Sequence, residues 1–254
     1  MAHQERKKIM KTWKKIVLGV SLISLFLGGG LVAWGYSQGG LTDLQNKTIS
    51  EQDYVKKEVK DFNKIDIKSS SYNVLIKNGE VDKATLSYYQ KTKNPIDTSV
   101  KDGQLTINDN NSELDSTSNK HINFFGLKDL VRLSTLNKEV RNKTIVITLP
   151  KKQTIDFLKV DLATGNLDLS NSTIKQADIN LNVGDLTFTK MIVSQLKANL
   201  DVGSVDSDHT LFTNSDLSIA MGDYSGDNLI FNGHNKLDVT SGDIEIVLKD
   251  YTLN

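Results

Sequence analysis

The sequence predicts an all-β protein: a single-domain β-solenoid of stacked coils, each of roughly 19 residues, preceded by one transmembrane helix. Three observations predict it. Gly165, Gly184, Gly203, Gly222 and Gly242 recur at a nearly constant step, and a step of that size calls for a solenoid. Fixed offsets from these glycines stay apolar in all five repeats. A long uncharged run, Ile16 to Tyr36, lies near the amino terminus.

The chain start, Met1 to Lys15, carries six basic side chains (Arg6, Lys7, Lys8, Lys11, Lys14, Lys15) against Glu5. The rest of the chain carries 25 basic and 30 acidic side chains, with only Arg132 and Arg141 as arginines. Phosphate recognition needs clustered positive charge, so the body is not expected to bind nucleic acid. Cysteine is absent, which excludes disulfides, thiol catalysis and cysteine metal sites.

Residues 16–36, IVLGVSLISLFLGGGLVAWGY, are long enough as a helix to cross the hydrocarbon core of a bilayer. Trp13, Trp34 and Tyr36 sit near its ends, at the height where amphipathic rings favour the interface. The basic residues 1–15 should stay in the cytoplasm, so residues 37–254 are expected outside the cell membrane. The alternative is a cleavable signal peptide, for which Leu31-Val32-Ala33 is a passable site; the apolar run is longer than a usual signal core. No Cys follows it, so a lipoprotein anchor is excluded. Residues 37–57 are polar and read as a spacer with a possible first strand.

The solenoid is expected over 58–254, with regular coils at 155–254. Five before each glycine stand Val160, Ile179, Ala198, Leu217 and Leu237; three before, Leu162, Leu181, Leu200, Ile219 and Val239. Two after stand Leu167, Leu186, Val205, Tyr224 and Ile244; nine after, Ile174, Val193, Phe212, Phe231 and Tyr251. A spacing of two is a strand signal. The odd step across each glycine resets the phase, so a corner or bulge is expected there, where a missing Cβ permits unusual dihedrals. Asn166, Asp185, Ser204, Asp223 and Asp243 follow the glycines, and such side chains can bond nearby backbone N–H groups. One coil cannot enclose a core, so each must hand its apolar columns to the next.

Earlier, IDIKSSSYNVLIKNG fits the register as a first coil if Ser70 takes the glycine role. Strand-like runs follow at 84–89, 103–108 and 143–150, the last ending at Pro150. An insertion at 109–142 separates the last two. Its first part, Asp109–Lys120, is polar; its second, His121–Leu133, places Phe124, Leu127 and Val131 on one helical face, widened by Phe125 and Leu130. This segment is expected either to cap an open solenoid end or to dock on a membrane or partner.

Candidates for chemistry are few. Asp201, Asp206, Asp208 and His209 could surround a metal, but Asp206 and Asp208 fall in the turn after a core strand, where solvated aspartates are expected, so no metal site is expected. Asp223 and Asp243 should be neighbours on stacked coils, a repulsion that calcium could relieve; Asn166 and Ser204 in the same column dilute it without a metal. His121, His209 and His234 are scattered and no Ser/His/Asp grouping or phosphate-cradling loop is present, so no enzyme and no cofactor are expected.

The stretches FNKIDIKSSSYNVLI, VKDGQLTIN, TIVITLPKK, VDLATGNLDL, INLNVGDLTF and LDVTSGDIEI resemble the bacterial "putative adhesin" domains of unknown function, over roughly residues 58–254. That family includes accessory proteins of Lia-type envelope-stress systems. The resemblance implies an envelope-facing β-solenoid, often membrane-anchored, linked to surface adhesion or to sensing envelope damage, with no catalytic motif to carry over. The expected function is a non-catalytic surface-binding module, its contacts being the bilayer through 16–36 and a cell-envelope or protein partner. A passive structural subunit of a membrane complex is the alternative, and a glycan-acting enzyme a remoter one.

Overall fold

Val160 lies opposite Ile179, Ile179 opposite Ala198, Ala198 opposite Leu217 and Leu217 opposite Leu237, always in parallel strands. The computed structural model describes residues 52–91, 95–109 and 143–249. Parallel strands pair coil to coil from Thr154 to Ser241 in this way. Residues 16–36, the segment 121–133 with Phe124, Phe125, Leu127, Leu130 and Val131, and Tyr251 lie outside the described residues. Among the described residues no helix is long and apolar enough to cross a membrane.

Each regular coil places one strand in each of two sheets. Sheet I holds β8 (Thr154–Thr164), β10 (Thr173–Val183), β13 (Leu196–Val202), β16 (Ser215–Met221) and β18 (Lys236–Ser241), stacked in that order. Sheet II holds β9 (Leu167–Ser170), β11 (Leu186–Thr189), β14 (Val205–Asp208), β17 (Tyr224–Asn232) and β19 (Ile244–Leu248). A narrow third strip joins the starts of β8 and β10 to β12 (Ile192–Val193), β15 (Leu211–Thr213) and the end of β17. The apolar columns are therefore stacked like on like. Phe188, Phe212 and Phe231 add an aromatic row, with ring centroids 5.2 and 5.8 Å apart. Such pairs contribute beyond the area they bury.

The phase reset expected at the glycines is a backbone event. Gly203 has φ +149°, and a Cβ there would overlap the carbonyl oxygen of Gly184 one coil away. The other repeat-corner glycines share the conformation, with φ from +143° to +153°. No L-residue adopts that backbone easily, and no side chain has room.

The first coil corrects the predicted register. In β2 (Lys64–Ser69) Ile67 faces Val160 and Ser69 faces Leu162, and in β3 (Asn73–Gly79) Val74 faces Leu167. Tyr72, not Ser70, thus stands at the corner, packed by its backbone against Gly165. Apolar alternation favours Ile65 and Ile67 for the two positions before the corner. The chain instead buries Ser69 in the second of them, because that hydroxyl has partners. It accepts the N–H groups of Ser71 (3.3 Å) and Tyr72 (3.0 Å) and donates to Asp109 Oδ2 at 3.2 Å.

The spatial order of coils departs from chain order. β6 (Gln104–Asn108) lies parallel to β2, and β7 (Thr144–Pro150) parallel to β3. They form one coil stacked outside the first, and in the sequence residues 110–142 lie between them. Asp109, read as the start of the polar insertion, belongs to the coil, since it is buried and its N–H bonds Lys68 O at 2.9 Å. Beyond this coil the stack is covered by antiparallel strands: β4 (Thr85–Lys91) on β7, β1 (Gln52–Glu58) on β4, and β5 (Asp97–Lys101) on β6. The sheet thus starts at Gln52, within the stretch read as a spacer with a possible first strand. Val59, Phe62, Ala84, Leu86, Tyr88 and Ile96 are buried in this covering layer.

Candidate binding surface

Side chains alternate across each strand, so the residues between the apolar columns form the outer faces. On sheet I the position six before each glycine reads Lys159, Asp178, Lys197, Asp216 and Lys236, each opposite the next, with Asp66 of the first coil opposite Lys159. Charge alternates at every step. Two positions along runs a second column, Asp161, Asn180 and Asn199. Asn180 donates to Asp161 Oδ1 at 2.9 Å and Asn199 to Asn180 Oδ1 at 3.0 Å. Cross-strand pairs of these types each contribute a few tenths of a kcal/mol up to about 1 kcal/mol. The face is therefore rigid, polar and balanced in charge. Measuring offsets from the glycines, as for the apolar columns, would have found it in the sequence.

The glycine edge carries a different ladder. Asn166 N–H donates to Asn73 Oδ1, Asp185 N–H to Asn166 Oδ1, Ser204 N–H to Asp185 Oδ1, and Asp243 N–H to Asp223 Oδ1, each at 2.9 Å; Asp223 N–H donates to Ser204 Oγ at 3.3 Å. The small polar residue after each glycine thus caps the next coil. The five glycines lie in line beside this ladder. The insertion leaves from the same edge, between Asp109 and Lys143, where Asn73 N–H bonds Lys143 O at 2.8 Å.

A second corner has no glycine. Asn171, Lys190, His209 and Asn228, which recur at the same step as the glycines, have φ between +49° and +54°. Asn and His adopt this left-handed conformation more readily than most residues; Lys carries no common sequence signal for it. His209 is therefore a corner residue, and its Nδ1 lies 2.7 Å from Asp208 Oδ1 on the exposed surface. Among the described residues no three His, Cys, Asp or Glu side chains converge on a possible metal position.

The outer face of sheet II is polar at its far end but buried near the first coil. Leu75, Asp168 and Thr187 face outward in register, yet are 2%, 2% and 9% exposed. Among the described residues Asp168 Oδ1 has no hydrogen-bond partner. Burial pushes its carboxyl up to about 7, against the pull of Lys77. Nothing in the sequence separates this aspartate from its less buried counterpart Asp206, two coils along in the same column.

The Toastrack DUF4097 family model matches residues 62–253. No curated protein matches the chain. Among solved structures, the chain is similar to a "putative cell adhesion protein" from Clostridium sporogenes (16% identity, 77% of this chain and 99% of that one, TM-score 0.43). It is also similar to a "putative adhesin" from Bacteroides fragilis (17%, 78% and 97%, TM-score 0.35) and to a "putative lipid binding protein" from Parabacteroides distasonis (9%, 78% and 98%, TM-score 0.29). Family membership rests on the residue match rather than on these low scores.

Proposed function

We propose, for a chain that belongs to the Toastrack DUF4097 family, that it is a membrane-anchored, extracytoplasmic module that works by presenting a surface and catalyses nothing. The observation that carries this reading is the outer face of sheet I, with its Lys/Asp column and its Asp161–Asn180–Asn199 ladder. Donors and acceptors repeat there at the strand spacing of about 4.8 Å. The Asp161, Asn180 and Asn199 side chains hold one another in place, and Lys159 lies 3.6 Å from Asp161, so these groups lose little side-chain freedom on binding. Such a face suits a polar, hydroxyl-rich envelope polymer, as an adhesin-like or envelope-stress accessory role requires. The amphipathic segment 121–133, tethered at Asp109 and Lys143, is a second contact with a protein or membrane surface.

The test has two arms. Protease shaving of protoplasts carrying a C-terminally tagged chain should remove the tag from a membrane-bound protein. Purified chain should bind isolated cell-wall material, and Lys197→Ala with Asn180→Ala and Asn199→Ala should abolish binding while the melting temperature changes little. Equal binding by that variant would remove sheet I from the reading, and a tag protected from protease would remove the extracytoplasmic placement.

A further inference from the structure

The two ends of the stack are unlike. At the first end the outermost strand of sheet II, β1, carries Asp53, Lys56, Lys57 and Glu58, whereas on sheet I each end strand carries a single terminal lysine, Lys101 in β5 and Lys236 in β18. Charged, lysine-bearing edge strands resist further pairing. At the other end β19 reads IEIVL, with no Lys and no Pro, and its whole length is exposed. Ile244, Val247 and Leu248 are 50%, 51% and 58% exposed. Ile244 and Leu248 continue columns that are buried one coil earlier, in Tyr224 and Leu229. On β18, Leu237 and Val239 continue the core in the same way.

Everything that joins one coil to the next is still on offer at this end. β18 and β19 have free hydrogen-bonding edges among the described residues. Asp243 stands at the ladder position whose counterparts in the earlier coils each accept the N–H of the following coil. The matching occupant is therefore another β-coil rather than a helix or a loose peptide. With one end blocked and the other open, self-association can only run open end to open end, and such a contact closes on itself as a two-fold dimer instead of growing into a fibre.

We propose that the β18–β19 end pairs with the same end of a second copy. A two-fold axis across the stack makes both junctions antiparallel. Centred on Ile246, the β19 junction sets Ile244 against Leu248 of the second copy and Glu245 against its Val247, so the pairs that continue the core columns are apolar and no like charges meet. Centred on Val239, the β18 junction sets Asp238 against Thr240 and avoids an Asp238–Asp238 contact. Val239 and Ile246 stand three before and four after the corner Gly242, so one axis can serve both sheets. The exposed apolar end would then be an interface, and the dimer would carry its two sheet I faces in one continuous array.

Because the full chain contains no cysteine, single-cysteine variants give a clean test in membranes. Opposed positions of an antiparallel pair bring their Cβ atoms within reach of a disulfide. Under mild oxidation Ile246→Cys and, independently, Val239→Cys should convert most of the chain into a covalent dimer, while Tyr54→Cys at the blocked end stays monomeric. Ile246→Lys should halve the molar mass of the detergent-solubilised chain in sedimentation, with its melting transition retained. The proposal fails if Ile246→Cys stays monomeric and reacts freely with a maleimide, which would mean a bare end. It fails equally if that cysteine is monomeric yet protected from maleimide, which would mean that a segment of the same chain or another protein covers the end. Dimerisation of Tyr54→Cys to the same extent would mean collisional contact and would also overturn it.

Discussion

Asp223 Oδ1 accepts the backbone N–H of Asp243 at 2.9 Å, one coil along the stack. Two acids that read as a repulsive pair are thus joined through a side chain and a backbone donor, and no cation is needed to bring them together. Truncating Asp223 leaves that N–H without its acceptor. Asp223→Ala should cost about 1 kcal/mol, whereas Asp223→Asn keeps the oxygen, removes a charge and should be neutral or slightly stabilising. Urea midpoints of the purified chain measure both.

Gly203, like Gly184, Gly222 and Gly242, has no room for a side chain. Its φ of +149° and the Gly184 carbonyl oxygen leave no place for a methyl group. Gly203→Ala should cost about 3 kcal/mol or more. Gly103, with φ +72° and only Asn63 Oδ1 at 3.3 Å from its absent Cβ, should tolerate Asn far better. Thermal melts that rank the two the other way would contradict the corner assignment.

Asp168 gives the stack a pH dependence. Its folded carboxyl titrates at about 7, above the unfolded value of about 3.9. Below pH 4 both states hold the proton and the site is neutral to stability. As pH rises toward 7 the unfolded chain ionises while the folded chain does not, so stability falls; above 7 the full penalty remains. Asp168→Asn should match the parent near pH 4 and exceed it at pH 8, by up to about 4 kcal/mol. A stability difference that is flat across that range would show that Asp168 is not desolvated.

Ser69 replaces an apolar residue at the first corner and accepts two N–H groups while bonding Asp109. Ser69→Ala should destabilise by about 1–2 kcal/mol although it makes the position more hydrophobic. Ser69→Val, chosen to match Leu162 beside it in register, should be no better, since it also takes a donor from Asp109. Chemical denaturation of the two variants beside the parent decides the point.

Phe124 separates the two roles open to the segment 121–133. As a docking contact, Phe124→Asp should abolish partner or membrane association with the melting temperature unchanged. A lowered melting temperature would mark the segment as part of the folded body instead.

The sequence by itself determined the regular half of the protein. A constant period turns the long-range pairing of Val160 with Ile179 and Ala198 into a local rule, and glycine is the only residue compatible with the corner backbone, so both the columns and their breaks are visible position by position. The tertiary structure decided the rest, because there the pairing distance is no longer constant. Val74 finds Leu167 from far along the chain, and β6 and β7 form one coil across an insertion, so no fixed offset reports them. Polar groups decided the first corner: buried Ser69 is acceptable because it accepts the Ser71 and Tyr72 N–H groups and bonds Asp109, which comes from a distant part of the chain. The left-handed turn at Lys190 was likewise set by the stack, which holds it in a backbone that lysine does not favour.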